Sequence, residues 1–456
     1  MYQTTSIKEK IRLFIIIMLP ILITQISLNL MTFFDTVMSG RAGAEELAGV
    51  AIGSSLWIPI STGINGIVLA ITPIIAHTIG AKKDHEVPGI LQQGIYLAIA
   101  LSFVIIGFGA LLLEPLLSLM ELESEVRYVA KYYLIALGAG IIPLFIFNTI
   151  RSFMDGLGQT RASMVIILVS LPLNIIFNYI FIFGKLGLPV FGGIGAGIAT
   201  SLTYWLVCVI SLIVMARVQP FSGFSLFSKW LKPSIAAWLS QLKIGLPIGA
   251  AVFFETSIFS AVTLLMSVYN TFTLAAHQAA MNFATLLYMI PLSVGMALTI
   301  TVGFEAGAKR FKDARTYGYI GMSGGVFIAI FAGIILYVFN GPVAALYNTE
   351  PEVIELTRQF IYYAIFYQLA DAFGAPIQGA LRGYKDVNMT FVIAFVSYWI
   401  IGLPVGWVLA NYTSLEPFGY WVGIIVGLSF GAAALLWRLI QIQGSYDKAN
   451  KNSSAD

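Results

Sequence analysis

Of the 456 residues, 58% are hydrophobic and 10% are charged, well below the roughly 25% charge of soluble domains. The net charge is only +3, so neither a nucleic-acid partner nor a solvated acidic or basic domain is expected. A single cysteine, Cys208, excludes disulfides and cysteine-based metal clusters by count. The chain reads as an all-α polytopic membrane protein.

Lys8, Lys10 and Arg12 precede an apolar run from Leu13 to Phe34. That run is longer than the core of a signal peptide and lacks a small-residue cleavage site, so it is read as the first membrane helix. Taking about 20 apolar residues per crossing, the sequence predicts twelve helices, centred near residues 25, 62, 104, 138, 173, 204, 256, 290, 329, 366, 400 and 430. With the amino terminus inside, only Arg41, Arg127, Lys131, Lys185 and Arg358 of the 25 Lys and Arg residues face outward. This bias satisfies the positive-inside rule and places both termini in the cytoplasm.

Leu19-Pro20-Ile21 recurs as Leu246-Pro247-Ile248, Gly80-Ala81-Lys82-Lys83 as Gly307-Ala308-Lys309-Arg310, and Phe191-Gly192 as Phe418-Gly419. Every pair is offset by 227 residues, as are Gly156 and Gly383. The reading is a duplicated six-helix half: an N-terminal lobe, 1–222, and a C-terminal lobe, 223–456, ending in a short polar cytoplasmic tail. The junction is the polar run from Gln219 to Ser234. Six crossings return the chain to its starting side, so the repeats are parallel and related by an axis along the membrane normal.

The spans carry few acids. Asp35 lies toward the outer end of helix 1 on a polar stripe with Asn29 and Thr32, and helix 5 places Asn174 and Asn178 on one face. Glu255 sits near the middle of the stretch from Gly245 to Ser267, and Asp371 lies in the span from Phe360 to Ala380. A charge at a helix centre costs about 2.5 to 3.5 kcal/mol on insertion scales, which marks these acids as functional candidates. The repeat offset puts Leu28 and Leu144 opposite Glu255 and Asp371, so the halves have specialised.

The patterns HExxH, GxSxG and GxxxxGK[ST] do not occur, so neither a membrane enzyme nor an ATP-driven pump is supported. Paired halves with carboxylates in their spans are the equipment of a secondary transporter. Two carboxyls withdrawn from water can exchange a proton near neutral pH. Tyr367, one turn before Asp371, and Tyr288 on helix 8 make oxygen ligands for Na⁺ equally available. Acids with aromatic neighbours favour cationic substrates with apolar bodies.

These residues resemble the multidrug and toxic compound extrusion (MATE) family over almost the whole chain apart from its tail. The resemblance is carried by Leu19-Pro20 with Phe34-Asp35-Thr36, Leu171-Pro172-Leu173-Asn174 with Asn178, Pro247 with Glu255, and Asp371 before Gln378-Gly379-Ala380-Leu381-Arg382-Gly383. The joint presence of Glu255 and Asp371 is similar to the NorM-type branch. The resemblance implies a V-shaped bundle that exports cationic, lipophilic drugs or dyes in exchange for Na⁺ or H⁺, without a cofactor and as a monomer. It implies that Glu255, Asp371 and Tyr288 form a cation site, holding the metal if Na⁺ is the ion, with Tyr367 added from its spacing. It further implies that Asp35, Ser55 and Gln278 face substrate and that Asn174 and Asn178 join Asp35. Glu350 is a candidate for the acid of the outer loop before helix 10. The alternative of the same architecture, a lipid-linked oligosaccharide flippase, would be expected to place Arg or Lys within its cavity, whereas the spans carry acids and essentially no base at mid-membrane.

Overall fold

A computed structural model describes residues 1–452 apart from Phe227, Ser267 and 347–349. Ser267, which ends the predicted seventh span, Phe227 in the predicted junction, and the end of the polar tail lie outside the described residues. Among the described residues there is no strand. The long helices are α1 (Ile7–Ala42), α2 (Ala44–Gly80), α3 (Val87–Leu119), α4 (Ser124–Gly138 continued by Ile141–Gly156), α5 (Thr160–Phe183) and α6 (Gly193–Arg217). They continue as α7 (Ile235–Met266), α8 (Thr271–Gly307), α9 (Phe311–Val338), α10 (Pro351–Gly383), α11 (Asn388–Tyr412) and α12 (Pro417–Asn452). Each predicted centre falls inside one of the twelve. Ten are long and apolar enough to cross a bilayer, and α4, bent by 52° at its break, makes eleven. The 33-residue α10 completes the set and is more polar because Glu352, Glu355, Arg358, Asp371 and Arg382 all lie on it.

One tertiary hydrogen bond recurs at the repeat offset. Thr72 Oγ1 donates to the Ser152 carbonyl at 3.0 Å, and Thr299 Oγ1 donates to the Gly379 carbonyl at 3.0 Å, both ends displaced by 227 residues. Lys82 and Lys309, also equivalent, both leave their helices in the left-handed region at φ 59°.

Packing divides the chain into one compact unit of Ile23–Gly249 and another of Met1–Leu22 with Ala250–Asp456. The repeat division and the packing division answer different questions, one about how the sequence arose and the other about where helices touch. The packing cuts fall just after Pro20 and Pro247, equivalent prolines that each remove one helical hydrogen bond. In the first unit, the early turns of α7 lie on α2: a Cβ on Gly245 would come 2.5 Å from the Ile67 carbonyl oxygen, and one on Gly249 2.5 Å from that of Gly63. The junction is tied to α3, where Gln92 Nε2 donates to the Leu226 and Lys229 carbonyls at 2.7 and 2.8 Å and Gln93 Oε1 accepts from the Ser234 amide at 2.9 Å.

In the second unit, Leu13, Phe14, Ile17 and Ile21 of α1 pack with Leu298 of α8, Leu381 of α10 and Leu439 of α12. Small residues bring backbones together here, as is usual where lipid supplies no hydrophobic drive between helices. Gly379 of α10 abuts Gly295 of α8 so closely that an added Cβ would overlap the Gly295 carbonyl. Gly379→Ala is therefore expected to destabilise the protein by about 3 kcal/mol or more, measured as a fall in thermal unfolding temperature in detergent. An unchanged unfolding temperature would show that the α8–α10 crossing tolerates separation. On α12, Gly423 and Gly427 similarly face Gly406 and Gly402 of α11. Within α11 the backbone widens into a π segment, Val396–Gly402.

Candidate functional site

The unit that contains α8, α10 and α11 gathers the predicted cation residues. Glu255 on α7 is 9% exposed and Asp371 on α10 is 3% exposed. Tyr288 on α8 donates its hydroxyl to Glu255 Oε1 at 3.2 Å. Gln378, two turns beyond Asp371 on α10, hydrogen-bonds the same carboxylate, while its Oε1 accepts from Arg382 Nη2 at 3.0 Å. Tyr367 is buried one turn before Asp371, its ring set edge-on to Phe259 of α7 at 5.8 Å and to Trp421 of α12 at 6.4 Å. A cavity of about 20 Å³ lies between Glu255, Asp371, Gln378, Ser397 and Tyr398, above the roughly 10 to 15 Å³ that one water-sized occupant requires. Asp371 Oδ2 is fully buried here without a hydrogen-bond partner in the protein. An unsatisfied carboxylate oxygen beside room for one small guest is an arrangement suited to a cation or a proton.

Arg382, in the last turn of α10, is buried at 5% exposed and interacts electrostatically with Glu255, a role that sequence reasoning missed. The spacing held the signal: Asp371, Gln378 and Arg382 stand at i, i+7 and i+11, one stripe of a 3.6-residue helix. Tyr398 and Ser397 were also missed, because no acidic or amide neighbour marks them in the sequence.

The other unit gathers the second predicted cluster. Asp35 Oδ1 accepts from Asn178 Nδ2 at 2.5 Å, and Oδ2 accepts from Thr200 Oγ1 at 3.1 Å. Asn178 Nδ2 is also 3.2 Å from Asn174 Oδ1, and Asn174 Nδ2 donates to Thr203 Oγ1 at 3.3 Å. Thr200 and Thr203 of α6 were not singled out from the sequence; Thr200 follows Ala196 by one turn on the buried face of α6. Ser55 and Gln278 stand outside both clusters. Each is exposed, Ser55 Oγ donates to the Ala51 carbonyl at 2.8 Å, and Gln278 is ten residues, about 15 Å of helix, from Tyr288. Glu350 precedes α10 at its N-cap, on the far side of the helix start from the buried acids.

The MatE family profile matches residues 20–180 and again 247–408. The chain belongs to the MatE family. The two matches start 227 residues apart, the repeat offset found from the sequence. The probable multidrug resistance protein NorM of Oceanobacillus iheyensis is 72% identical over 443 residues, which cover 97% of this chain and 99% of that protein. The corresponding protein of Bacillus subtilis is 52% identical over 448 residues, 98% and 99% of the two chains. Among solved structures, a MATE protein in complex with MaD3S superposes with a TM-score of 0.88 at 19% identity, covering 98% of this chain and 100% of that one. An outward-facing MATE transporter gives 0.87 at 19% identity, covering 98% and 99%. As a MatE protein the chain is a multi-pass membrane transporter and not an enzyme.

Proposed function

We propose that this MatE protein is a multidrug efflux antiporter that expels small cationic, lipophilic compounds in exchange for H⁺ or Na⁺. The observation that carries the reading is the buried pair of Glu255 and Asp371 at a cavity of single-guest size, with one carboxylate oxygen lacking a protein partner and the Tyr288 hydroxyl bonded to Glu255. The NorM relatives bear the name of multidrug resistance proteins, which supports drugs as the cargo. In this reading Glu255 and Asp371 hold the coupling ion, Tyr288 and Tyr367 shape its cage, and Asp35 with Asn174 and Asn178 meets the substrate. Ser55 and Gln278, exposed on α2 and α8, are assigned to the substrate path. The duplicated lobes of 1–222 and 223–456 act within one monomer whose termini both lie in the cytoplasm.

The test is uptake of ethidium by inverted vesicles containing the protein, with a pH gradient or a Na⁺ gradient imposed in turn. Uptake driven by at least one of the two gradients, and absent without either, is expected. Uptake that ignores both gradients, or none in any condition from correctly inserted protein, would overturn the antiport reading.

A further inference from the structure

We infer that Ser397 is an additional oxygen ligand of the coupling cation and that it confers Na⁺ binding; the inference rests on the assignment of the coupling ion to Glu255 and Asp371.

Ser397 is 1% exposed and lines the same small cavity as Glu255, Asp371 and Gln378. Its hydroxyl has no hydrogen-bond partner in the protein. That is unusual for a serine in a helix, whose hydroxyl ordinarily turns back onto the carbonyl three or four residues earlier. Other buried serines of this chain do so: Ser102 Oγ donates to Ala98 at 2.7 Å, Ser211 to Cys208 at 2.8 Å and Ser293 to Met289 at 2.6 Å. The sharpest comparison is with Ser170, which stands 227 residues before Ser397 and follows Val169 as Ser397 follows Val396. Ser170 Oγ donates to the Ile167 carbonyl at 2.8 Å.

The two equivalent serines differ in their backbone. Ser170 lies in an uninterrupted α-helix, whereas Ser397 lies in the π segment Val396–Gly402. A single π turn within an α-helix changes the register of side chains and is found disproportionately at functional sites. The widened turn is accommodated by glycines of α12. A Cβ on Gly427 would lie 2.6 Å from the Ser397 carbonyl oxygen, and one on Gly431 would lie 3.0 Å from Ser397 Oγ. Thus the glycines of α12 leave room for the bulge, and the hydroxyl, beside Gly431, is left available to the cavity that Gly431 also lines.

The chemistry of a neutral hydroxyl distinguishes the two candidate ions. A hard monovalent cation such as Na⁺ gathers oxygen ligands, and a serine Oγ adds one without adding charge. A proton needs a single carboxylate oxygen and gains little from a further neutral acceptor. Ser397 therefore contributes to the binding of Na⁺ far more than to that of H⁺.

The test uses the purified full-length protein and measures binding of radioactive Na⁺ at fixed pH, together with export driven by a pH gradient in Na⁺-free medium. Ser397→Ala, which deletes the oxygen, and Ser397→Cys, which keeps the bulk but substitutes a soft sulfur, are both expected to raise the Na⁺ concentration for half-saturation about tenfold. Ser397→Thr retains the hydroxyl and is expected to restore wild-type Na⁺ binding, a rescue that a purely structural role would not produce. Export driven by the pH gradient in Na⁺-free medium is expected to fall less than Na⁺ binding in the Ala and Cys variants; an equal fall in both would assign Ser397 a merely structural role and overturn the inference. Unchanged Na⁺ binding in both the Ala and Cys variants, or a wild-type protein that binds no Na⁺, overturns the inference. Asp371→Asn serves as the separate control on the underlying reading: if it binds Na⁺ as the wild type does, the carboxylate assignment fails and the inference with it, whereas loss of Na⁺ binding in Asp371→Asn with unchanged binding in Ser397→Ala and Ser397→Cys keeps that assignment and overturns the Ser397 ligand alone.

Discussion

Glu255→Gln and Asp371→Asn each reduce gradient-driven export to background while leaving a folded, inserted protein; this is the largest functional effect expected of any single substitution here. Attraction between a carboxylate and a monovalent cation about 4 Å away is worth about 4 kcal/mol at an effective dielectric near 20, or roughly a thousandfold in ion affinity. The amide is nearly the same size in both cases, and Asp371 Oδ2 has no protein donor to lose. Asp371→Asn should thus keep the wild-type unfolding temperature. Glu255→Gln preserves an acceptor for the Tyr288 hydroxyl but leaves the buried Arg382 guanidinium without its nearby countercharge. Removing one partner of a buried charge pair is destabilising, so this variant should unfold at a lower temperature than Asp371→Asn. Measured export, Na⁺ binding and thermal unfolding of the two purified variants check both halves of the expectation. Drug resistance at the wild-type level, from either variant at normal expression, would sink the cation-site assignment.

The legible and illegible parts of this protein divide along a physical line. Span positions were readable because lipid imposes a length and a hydropathy on every crossing, and the twelve centres fell on twelve helices. The duplication was readable because caps and close packings constrain sequence at fixed places: the lysines at φ 59° and the threonine-to-carbonyl bonds recur at the offset of the sequence repeat. Glu255, Asp371 and Asp35 were readable because a charge among apolar residues stands out. Ser397 was not, since serine is common in membrane helices and its distinction lies in a π turn set by contacts with α12. Arg382 was hidden differently. Its place near a helix end fitted the positive-inside count, and only the packing of α7 against α10 brings its charge under the influence of Glu255. Thr200 and Thr203 likewise acquire meaning only when α6 is laid beside α5, where they meet Asp35 and Asn174.

Asp35→Asn is expected to weaken binding of a cationic substrate tenfold or more while altering that of a neutral compound less than twofold. The structure makes this substitution a clean removal of charge. An asparagine at position 35 can accept from Asn178 through its Oδ1, as the carboxylate does at 2.5 Å, and can donate its amide to Thr200 Oγ1, whose hydroxyl is free to rotate from donor to acceptor. The hydrogen-bonded frame of Asn174, Asn178, Thr200 and Thr203 therefore survives, and a loss of affinity reports the missing charge. The donors that converge on Asp35 fit an anion, since each carboxylate oxygen receives a hydrogen bond. Its side chain is only partly buried, so a passing cation could be attracted without displacing the network. A contrary role is chemically coherent: Asp35 could serve as a protonation switch, and the amide would then imitate the protonated state. That role predicts equal loss for cationic and neutral substrates and a binding profile displaced along the pH axis. Titrating one cationic and one neutral substrate against the variant between pH 5 and 8 separates the two. Selective loss of the cation supports steering by charge, whereas uniform loss with a displaced pH profile assigns Asp35 to proton coupling.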